Sequence, residues 1–270
     1  MVQFPGGWPF PSRMFRAMYI DTHCHLDDPS LHDRLPEVLR NARGVGVSGF
    51  IIPGVGPDGW ERIARLGKME GVFPAFGLHP MLAGSYSPGL ISVLERYLPA
   101  AAAVGEIGLD YSYADVPREA QQTAFRAQLR LAVARGLPLL IHCRRAFHDL
   151  VQILREEGAE RVGGVMHAFS GSVEVAGECV RLGFAISVAG PVTYGNAVRP
   201  LQIAREIPLA HLVLETDAPD MTPEPWRGRP NEPAFLVETA RKVAYVRGVS
   251  LAEVERVTTA NARRLFRLER

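Results

Sequence analysis

The feature that most constrains the fold is a series of eight short apolar segments separated by longer amphipathic ones. The apolar segments are MYIDT (18–22), SGFIIP (48–53), VFPAFG (72–77), AAVGEIG (102–108), PLLIH (138–142), GVMHAF (164–169), FAISVA (184–189) and HLVLET (211–216). Their lengths suit β-strands, and the intervening segments have helical spacing, as in REAQQTAFRAQLRLAVARG (118–136). This alternation predicts a parallel sheet with crossover helices, which is an α/β fold.

Eight such units in a chain of 270 residues predict one (β/α)8 barrel of the TIM type. We expect the barrel to span residues 18–270, behind an N-terminal tail (1–17) that is partly disordered because prolines and glycines interrupt it. The alternative fold is a doubly wound open sheet, which would usually carry a glycine-rich phosphate turn after its first strand. Here the first strand ends in THCHL, which favours the barrel.

The composition narrows the class of function. Hydrophobic residues make up 47% of the chain and charged residues 22%, as in a globular protein with a sizeable core. A net charge of +1 gives no general nucleic-acid or membrane coat, although it is compatible with a local basic rim. No apolar segment approaches the ~20 residues needed to span a bilayer. Three cysteines without a secretory signal indicate a reducing cytoplasm, and no obligate protein partner is evident.

Polar side chains gather at the carboxyl ends of the predicted strands, where barrel enzymes carry their active sites. The candidate metal ligands are His23, His25, Glu106, His142, His167 and Asp217, which come from five different strands. Because residues two apart on a strand point the same way, His23 and His25 can reach one ion while Cys24 faces elsewhere. Six imidazole and carboxylate ligands exceed the needs of one site, so we expect two divalent ions such as Mg²⁺, Mn²⁺ or Zn²⁺.

The acidic candidates have different expected roles. Glu106 can bridge the two ions with its two oxygens, and Asp217 can serve both as a ligand and as the catalytic base that accepts a proton from water. Glu215 and Asp21 lie deeper along their strands and are candidates to orient an imidazole. For these two residues, a structural role as a buried acid bonded to the backbone is an open alternative.

Three residues are candidates for contacting the substrate. His79 stands at a strand end in GLHP, and Arg144 lies two residues beyond His142, where its guanidinium could neutralise a phosphate by a bidentate contact. Asn231 lies with Arg227 and Arg229 in WRGRPNEP, after the last predicted strand. Solvated loop arginines are common, so ordinary surface roles are the alternative for this set.

Taken together, the motifs resemble a known family. YIDTHCHL, GLHP, GEIGLDY, IHCRRAF, MHAFSG, LETDAP and RPNEP, in this order and spacing, resemble the TatD family of metal-dependent hydrolases over residues 19–266. The resemblance implies a barrel phosphodiesterase, a metal-dependent DNase with 3′ to 5′ exonuclease behaviour, and it implies metal ligands at the six positions named above. The chain departs from the family at Met81 and Leu82, where another histidine or an acid is frequent, which leaves the substrate rim open.

Two functions therefore stay open. The first is hydrolysis of nucleic-acid phosphodiesters, with single-stranded DNA ends as the expected substrate, by a metal-activated water. The second uses the same ligands to polarise a carbonyl, which would make the chain an ester or amide hydrolase such as an aminoacyl-tRNA deacylase. A noncatalytic metal-binding protein is a third class, and six ligands gathered at an open barrel mouth argue against it.

Overall fold

The computed structural model describes residues 18–268 as eight parallel strands connected by helices. The strands are Tyr19–Asp21 (β1), Val47–Pro53 (β2), Val72–Phe76 (β3), Ala103–Asp110 (β4), Leu139–Arg144 (β5), Gly164–Met166 (β6), Phe184–Val188 (β7) and Leu212–Leu214 (β8). Each strand pairs in parallel with the next strand along the chain, which gives the sheet order β1 to β8. The predicted (β/α)8 barrel is confirmed. The predicted tail, residues 1–17, lies outside the described residues.

Helices follow the strands on the outside of the sheet. The α-helices are Pro29–His32 (α1), Leu35–Gly44 (α2), Pro57–Leu66 (α3), Pro88–Glu95 (α4), Arg118–Arg135 (α5), Phe147–Glu156 (α6), Val173–Arg181 (α7), Arg199–Glu206 (α8), Leu236–Arg247 (α9) and Leu251–Phe266 (α10). Gly136 ends α5 in the left-handed conformation, and the Ser250 side chain caps α10 by accepting from the Glu253 amide. No helix within residues 18–268 is long and apolar enough to cross a membrane.

One apolar side chain from each strand fills the inside of the barrel. These residues are Ile20, Ile51, Ala75, Ala103, Leu140, Val165, Ala185 and Val213, and Phe266 of α10 packs against them. Because side chains on a strand alternate between its two faces, a residue two positions after this layer faces the barrel interior again, closer to the carboxyl end. His142, His167 and Glu215 occupy such positions, so the apolar layer forms the floor beneath them.

The first and last strands meet through a short set of bonds. The Thr22 amide donates to the Leu214 carbonyl at 3.0 Å, and the Asp217 amide donates to the His23 carbonyl at 2.9 Å. Cys24 forms an isolated parallel bridge with Ala218. We call this contact between β1 and β8 the seam. It places His23 and Asp217 side by side although they lie far apart in the sequence.

Candidate metal centre

The six expected ligands converge at the carboxyl ends of the strands, with Glu106 at the centre. Glu106 is 3% exposed, and its Oε2 lies 3.3 Å from His23 Nε2. Its other oxygen, Oε1, lies 2.9 Å from His142 Nδ1 and 3.5 Å from His167 Nε2. The two oxygens of one carboxylate therefore face two different groups of imidazoles.

Asp217 and the two histidines of the first strand complete the cluster. Asp217 Oδ1 lies 3.6 Å from His23 Nε2 and 3.7 Å from His25 Nε2. The Nε2 atoms of His23 and His25 are 3.3 Å apart, which agrees with the expectation that residues two apart share a face. Cys24 is fully buried between them, with its Sγ 3.8 Å from the Ile51 carbonyl, so it points away from the cluster.

The donor atoms suit a divalent cation in type and in spacing. Three overlapping sets each have ligand atoms within 4.8 Å of one another, namely His23 with His167 and Asp217, His23 with His25 and Glu106, and His79 with Glu106 and His142. Imidazole nitrogen and carboxylate oxygen are the ligands that proteins use for Zn²⁺ and for Mn²⁺ or Fe²⁺. The residues of the cluster therefore fit the metal that the sequence predicts.

Burial and mutual charge shift the pKa values within the cluster. Burial alone would raise the pKa of Glu106, but the surrounding imidazoles outweigh it and hold that pKa well below its usual range. Burial raises the pKa of Asp217 to about 6. Burial would lower the pKa of His167, but the carboxylates of Glu215, Asp217 and Glu106 outweigh it and raise that pKa to about 10. The metal-free cluster thus holds a proton on His167 at neutral pH.

Metal affinity should therefore rise with pH. An ion can bind His167 only after its proton leaves, and the raised pKa of about 10 keeps that proton bound through the neutral range. We expect affinity to increase at least about tenfold per pH unit through the neutral range, and more steeply toward acid pH, where His142, whose pKa is also raised, and Asp217 must lose protons as well. Competition for Mn²⁺ or Zn²⁺ with a chromogenic chelator measures this slope. A flat profile above pH 6 would contradict the assignment of His167 as a ligand.

His79 lies beside the cluster, and its ring is in a tautomer that favours donating a hydrogen bond over binding a metal. Its Nδ1 accepts a hydrogen bond from the Met81 amide at 3.1 Å. Burial lowers the pKa of His79 to about 4, so its ring is neutral at physiological pH. A neutral ring that accepts at Nδ1 carries its proton at Nε2, which lies 3.6 Å from Glu106 Oε1. His79 therefore presents an N–H to the centre of the site, which suits a contact with substrate oxygen.

Asp110 belongs to the site, although the sequence did not single it out. Its Oδ2 lies 3.0 Å from His142 Nε2, so His142 is held between Glu106 on one side and Asp110 on the other. Asp110 is itself fixed by Ser112, whose amide donates at 2.8 Å and whose hydroxyl donates at 2.5 Å. The Asp-x-Ser pattern of such a turn was the available signal.

Replacing Asp110 by asparagine should weaken the centre through His142. The carboxylate fixes which ring nitrogen of His142 faces Glu106, and losing such an outer partner typically costs about 10- to 100-fold in metal affinity or activity. Metal affinity and kcat/KM together measure the effect. Asp149→Asn is the matched control because Asp149 bonds Tyr111, outside the cluster. Equal losses in both variants would show a general folding defect instead.

Glu215 and Asp21, the two acids expected to orient imidazoles, differ in what they contact. Glu215 Oε1 lies 3.2 Å from His167 Nδ1 and accepts a hydrogen bond from the Ala168 amide at 2.6 Å, so the carboxylate is positioned beside the ring that it is predicted to orient. Asp21 instead accepts from the Thr216 amide at 2.9 Å and from the Thr216 hydroxyl at 2.5 Å. Its oxygens bond the end of the last strand across the seam rather than an imidazole ring.

Arg144 and Asn231, two of the residues expected to contact substrate, differ from each other in their exposure. Arg144 is exposed at the end of β5 and can reach the mouth of the barrel. Asn231 is fully buried, and its amide donates to the carbonyls of Thr216 and Asp220 while its oxygen accepts from the Glu232 amide. All its polar atoms are engaged with backbone, so Asn231 shapes the loop after β8 and does not face the mouth.

Left-handed backbone occurs at three strand ends that border the cluster. Arg145, Ala168 and Asp217 have φ values of 55°, 41° and 58° and follow the ends of β5, β6 and β8. This conformation is uncommon for residues other than glycine, and it concentrates where a functional site over-determines the backbone. At Ala168 the turn is held by the hydrogen bond that the Ala168 amide donates to the Glu215 carboxylate.

The chain is similar to several known proteins. A family model described as TatD related DNase matches residues 20–267. YabD of Bacillus subtilis, described as an uncharacterized metal-dependent hydrolase, is 38% identical over 254 residues, which cover 93% of this chain and 100% of YabD. The crystal structure of YjjV, a TatD homolog from Escherichia coli, matches with a TM-score of 0.89 at 33% identity and covers 94% of this chain and 100% of YjjV. The chain therefore belongs to the TatD family of metal-dependent hydrolases.

Proposed function

We propose that this chain hydrolyses phosphodiester bonds at the ends of single-stranded DNA, as a 3′ to 5′ exonuclease with two divalent ions. The observation that carries the proposal is the position of Glu106, whose oxygens face separate groups of imidazoles. A carboxylate placed in this way can bridge two ions, and a pair of ions suits in-line displacement at phosphorus. His23 and His25 would hold one ion with Asp217, and His142 and His167 would hold the other.

The residues of the chain have distinct tasks in this reaction. Divalent ions at such a ligand set polarise a phosphoryl oxygen and make water acidic enough to ionise near neutral pH. Asp217, with a pKa of about 6, is a carboxylate at neutral pH and accepts the proton of the attacking water. His79 donates its Nε2–H to a phosphoryl oxygen, and Arg144 offsets the charge that the phosphate carries.

A nucleic-acid substrate is favoured by the family and by the mouth of the barrel. The matching family model is described as TatD related DNase. Aromatic side chains border the loops after β7 and β8, where Trp226 stacks on Phe235 with ring centroids 4.9 Å apart and Tyr194 lies beneath Arg227. Aromatic and cationic side chains together are the usual means of holding unpaired bases and their backbone.

An ester or amide hydrolase, such as an aminoacyl-tRNA deacylase, is the alternative that the same ligands permit. The deciding assay offers metal-loaded protein an end-labelled single-stranded DNA, a D-aminoacyl-tRNA and a chromogenic ester. We expect stepwise loss of nucleotides from the 3′ end of the DNA, which stops when a chelator is added. Rapid hydrolysis of the tRNA ester with intact DNA would overturn the proposal in favour of the alternative.

A further inference from the structure

Exposed arginines at the mouth are concentrated on one side of the barrel. We call Arg144, Arg145, Arg199, Arg227 and Arg229 the arginine rim; all five are exposed and follow β5, β7 or β8. Arg199 reaches toward β6, since its Nη1 lies 3.4 Å from the Ser170 carbonyl. The rim therefore covers the half of the mouth formed by β5 to β8.

The opposite half of the mouth has a different character. The loop after β3, residues 77–87, contains no arginine, lysine or acid, and it exposes Met81 and Leu82 by 43% and 37%. The loop after β1 carries the acids Asp27 and Asp28. Arg118, at the start of α5, is the cation nearest to the loop after β4 in the sequence, and it lies over the Tyr111 ring at 4.4 Å.

Two adjacent cations of the arginine rim, like Arg199 and Arg229, lack a compensating carboxylate within residues 18–268. Among residues 18–268, neither Arg144 nor Arg145 has a carboxylate within ion-pair distance, unlike Arg227, which lies 3.7 Å from Glu224. Arg145 has a left-handed backbone conformation and comes immediately after β5, the strand that carries His142. Adjacent exposed guanidinium groups without acids form a local positive field that favours a polyanion.

We infer that the arginine rim beyond Arg144, which is assigned to the scissile phosphate, binds the backbone phosphates of the strand that remains after each cleavage. The inference rests on the proposed function, and it specifies the path of the substrate. A strand end has further phosphates only on its retained side, because the departing terminal nucleotide has none beyond the scissile one. The departing nucleotide then lies on the side opposite the arginine rim, near Met81 and Leu82. A cut within a strand would instead place phosphates on both sides.

The test measures binding of a fluorescein-labelled phosphorothioate oligothymidylate, which resists hydrolysis and keeps its charges. Metal-loaded protein is titrated by fluorescence anisotropy at several KCl concentrations. Each lost phosphate contact lowers the slope of log affinity against log salt by about 0.7 for a single strand. We expect that decrease in Arg145→Asn and in Arg199→Gln. Asparagine suits position 145 because it tolerates the left-handed backbone.

Arg118→Gln is the matched control because it removes an exposed arginine from the other side of the mouth. Its slope should equal that of the unchanged protein. Equal decreases in all three variants, unchanged slopes in the rim variants, or no binding by the unchanged protein would overturn the inference. Adding a phosphate to the 3′ end of the oligothymidylate should not strengthen binding, and a marked gain in affinity would place cations on the departing side.

The proposed function is measured separately, by hydrolysis of bis(p-nitrophenyl) phosphate, whose single phosphate leaves none for the arginine rim beyond Arg144 to bind. If the unchanged protein hydrolyses this ester but the rim variants bind DNA normally, the arginine rim is wrong and the phosphodiesterase stands. If the ester is inert while the rim variants show the expected decrease in slope, the binding surface stands and the proposed reaction fails.

Discussion

Glu106→Gln should reduce metal-dependent hydrolysis by about a thousandfold or more. Losing a partner outside the ligand set typically costs about 10- to 100-fold, and Glu106 is the residue that all the imidazole groups share, so a larger loss is expected. Glutamine keeps the shape of the side chain but replaces one anionic oxygen by a donor, which repels a cation. Two measurements check this expectation: kcat/KM for the proposed DNA substrate and the number of ions per chain after reconstitution.

Glu232→Gln is the matched control for this variant. Glu232 is also a buried carboxylate, 7% exposed, but it pairs with Arg34 away from the metal ligands. It should keep its ions and its activity within a fewfold. If Glu106→Gln retained a full complement of ions and normal kcat/KM, the carboxylate would not be a metal bridge, and the two-ion proposal would fail with it.

Asp217→Asn is expected to lower kcat by about 10²- to 10⁴-fold, the usual contribution of a general base. Asparagine tolerates the left-handed backbone at this position, where φ is 58°, so the loop should keep its course. The pKa of Asp217 in the metal-free cluster is about 6, so the part of the acidic limb that its protonation causes should be lost in the variant, while the part caused by protonation of the histidine ligands should remain. Measuring kcat against pH, with ion content in parallel, separates the role of Asp217 as a base from its role as a metal ligand.

The neighbouring exposed acid provides the control for that experiment. Asp220 is exposed three residues later in the same loop, and Asp220→Asn should leave the profile unchanged. An asparagine oxygen can still coordinate an ion, so Asp217→Asn should keep more metal than Glu106→Gln. If the whole acidic limb persisted in Asp217→Asn at full rate, the proton would have to go to another group.

The sequence predicted the barrel because apolar runs alternate with helical segments in a regular way, and local chemistry determines both. It predicted the end of the fourth strand too early, at residue 108. The strand continues to Asp110, which pairs in register with Arg144 of β5. That extension carries Asp110 to His142, and the role of Asp110 was missed for this reason.

Contacts between distant segments explain the other differences. Asp21 was expected to orient an imidazole because it lies two residues before His23, but its partner is Thr216, which is 195 positions away. Asn231 was expected at the mouth because its segment follows the last strand, but the fold of the loop turns its amide inward onto backbone carbonyls. Neither partner has a signal in the spacing of nearby residues.

The seam links enzymatic competence to the completion of the chain. His23 and His25 emerge early in synthesis, whereas Asp217 and the strand that supports it emerge near the end. On the ribosome, a nascent chain that lacks β8 has neither the partner of Asp21 nor the carboxylate opposite His23. A polypeptide that ends before β8 therefore cannot assemble the full set of ligands. Such a truncated translation product would be inactive as a hydrolase.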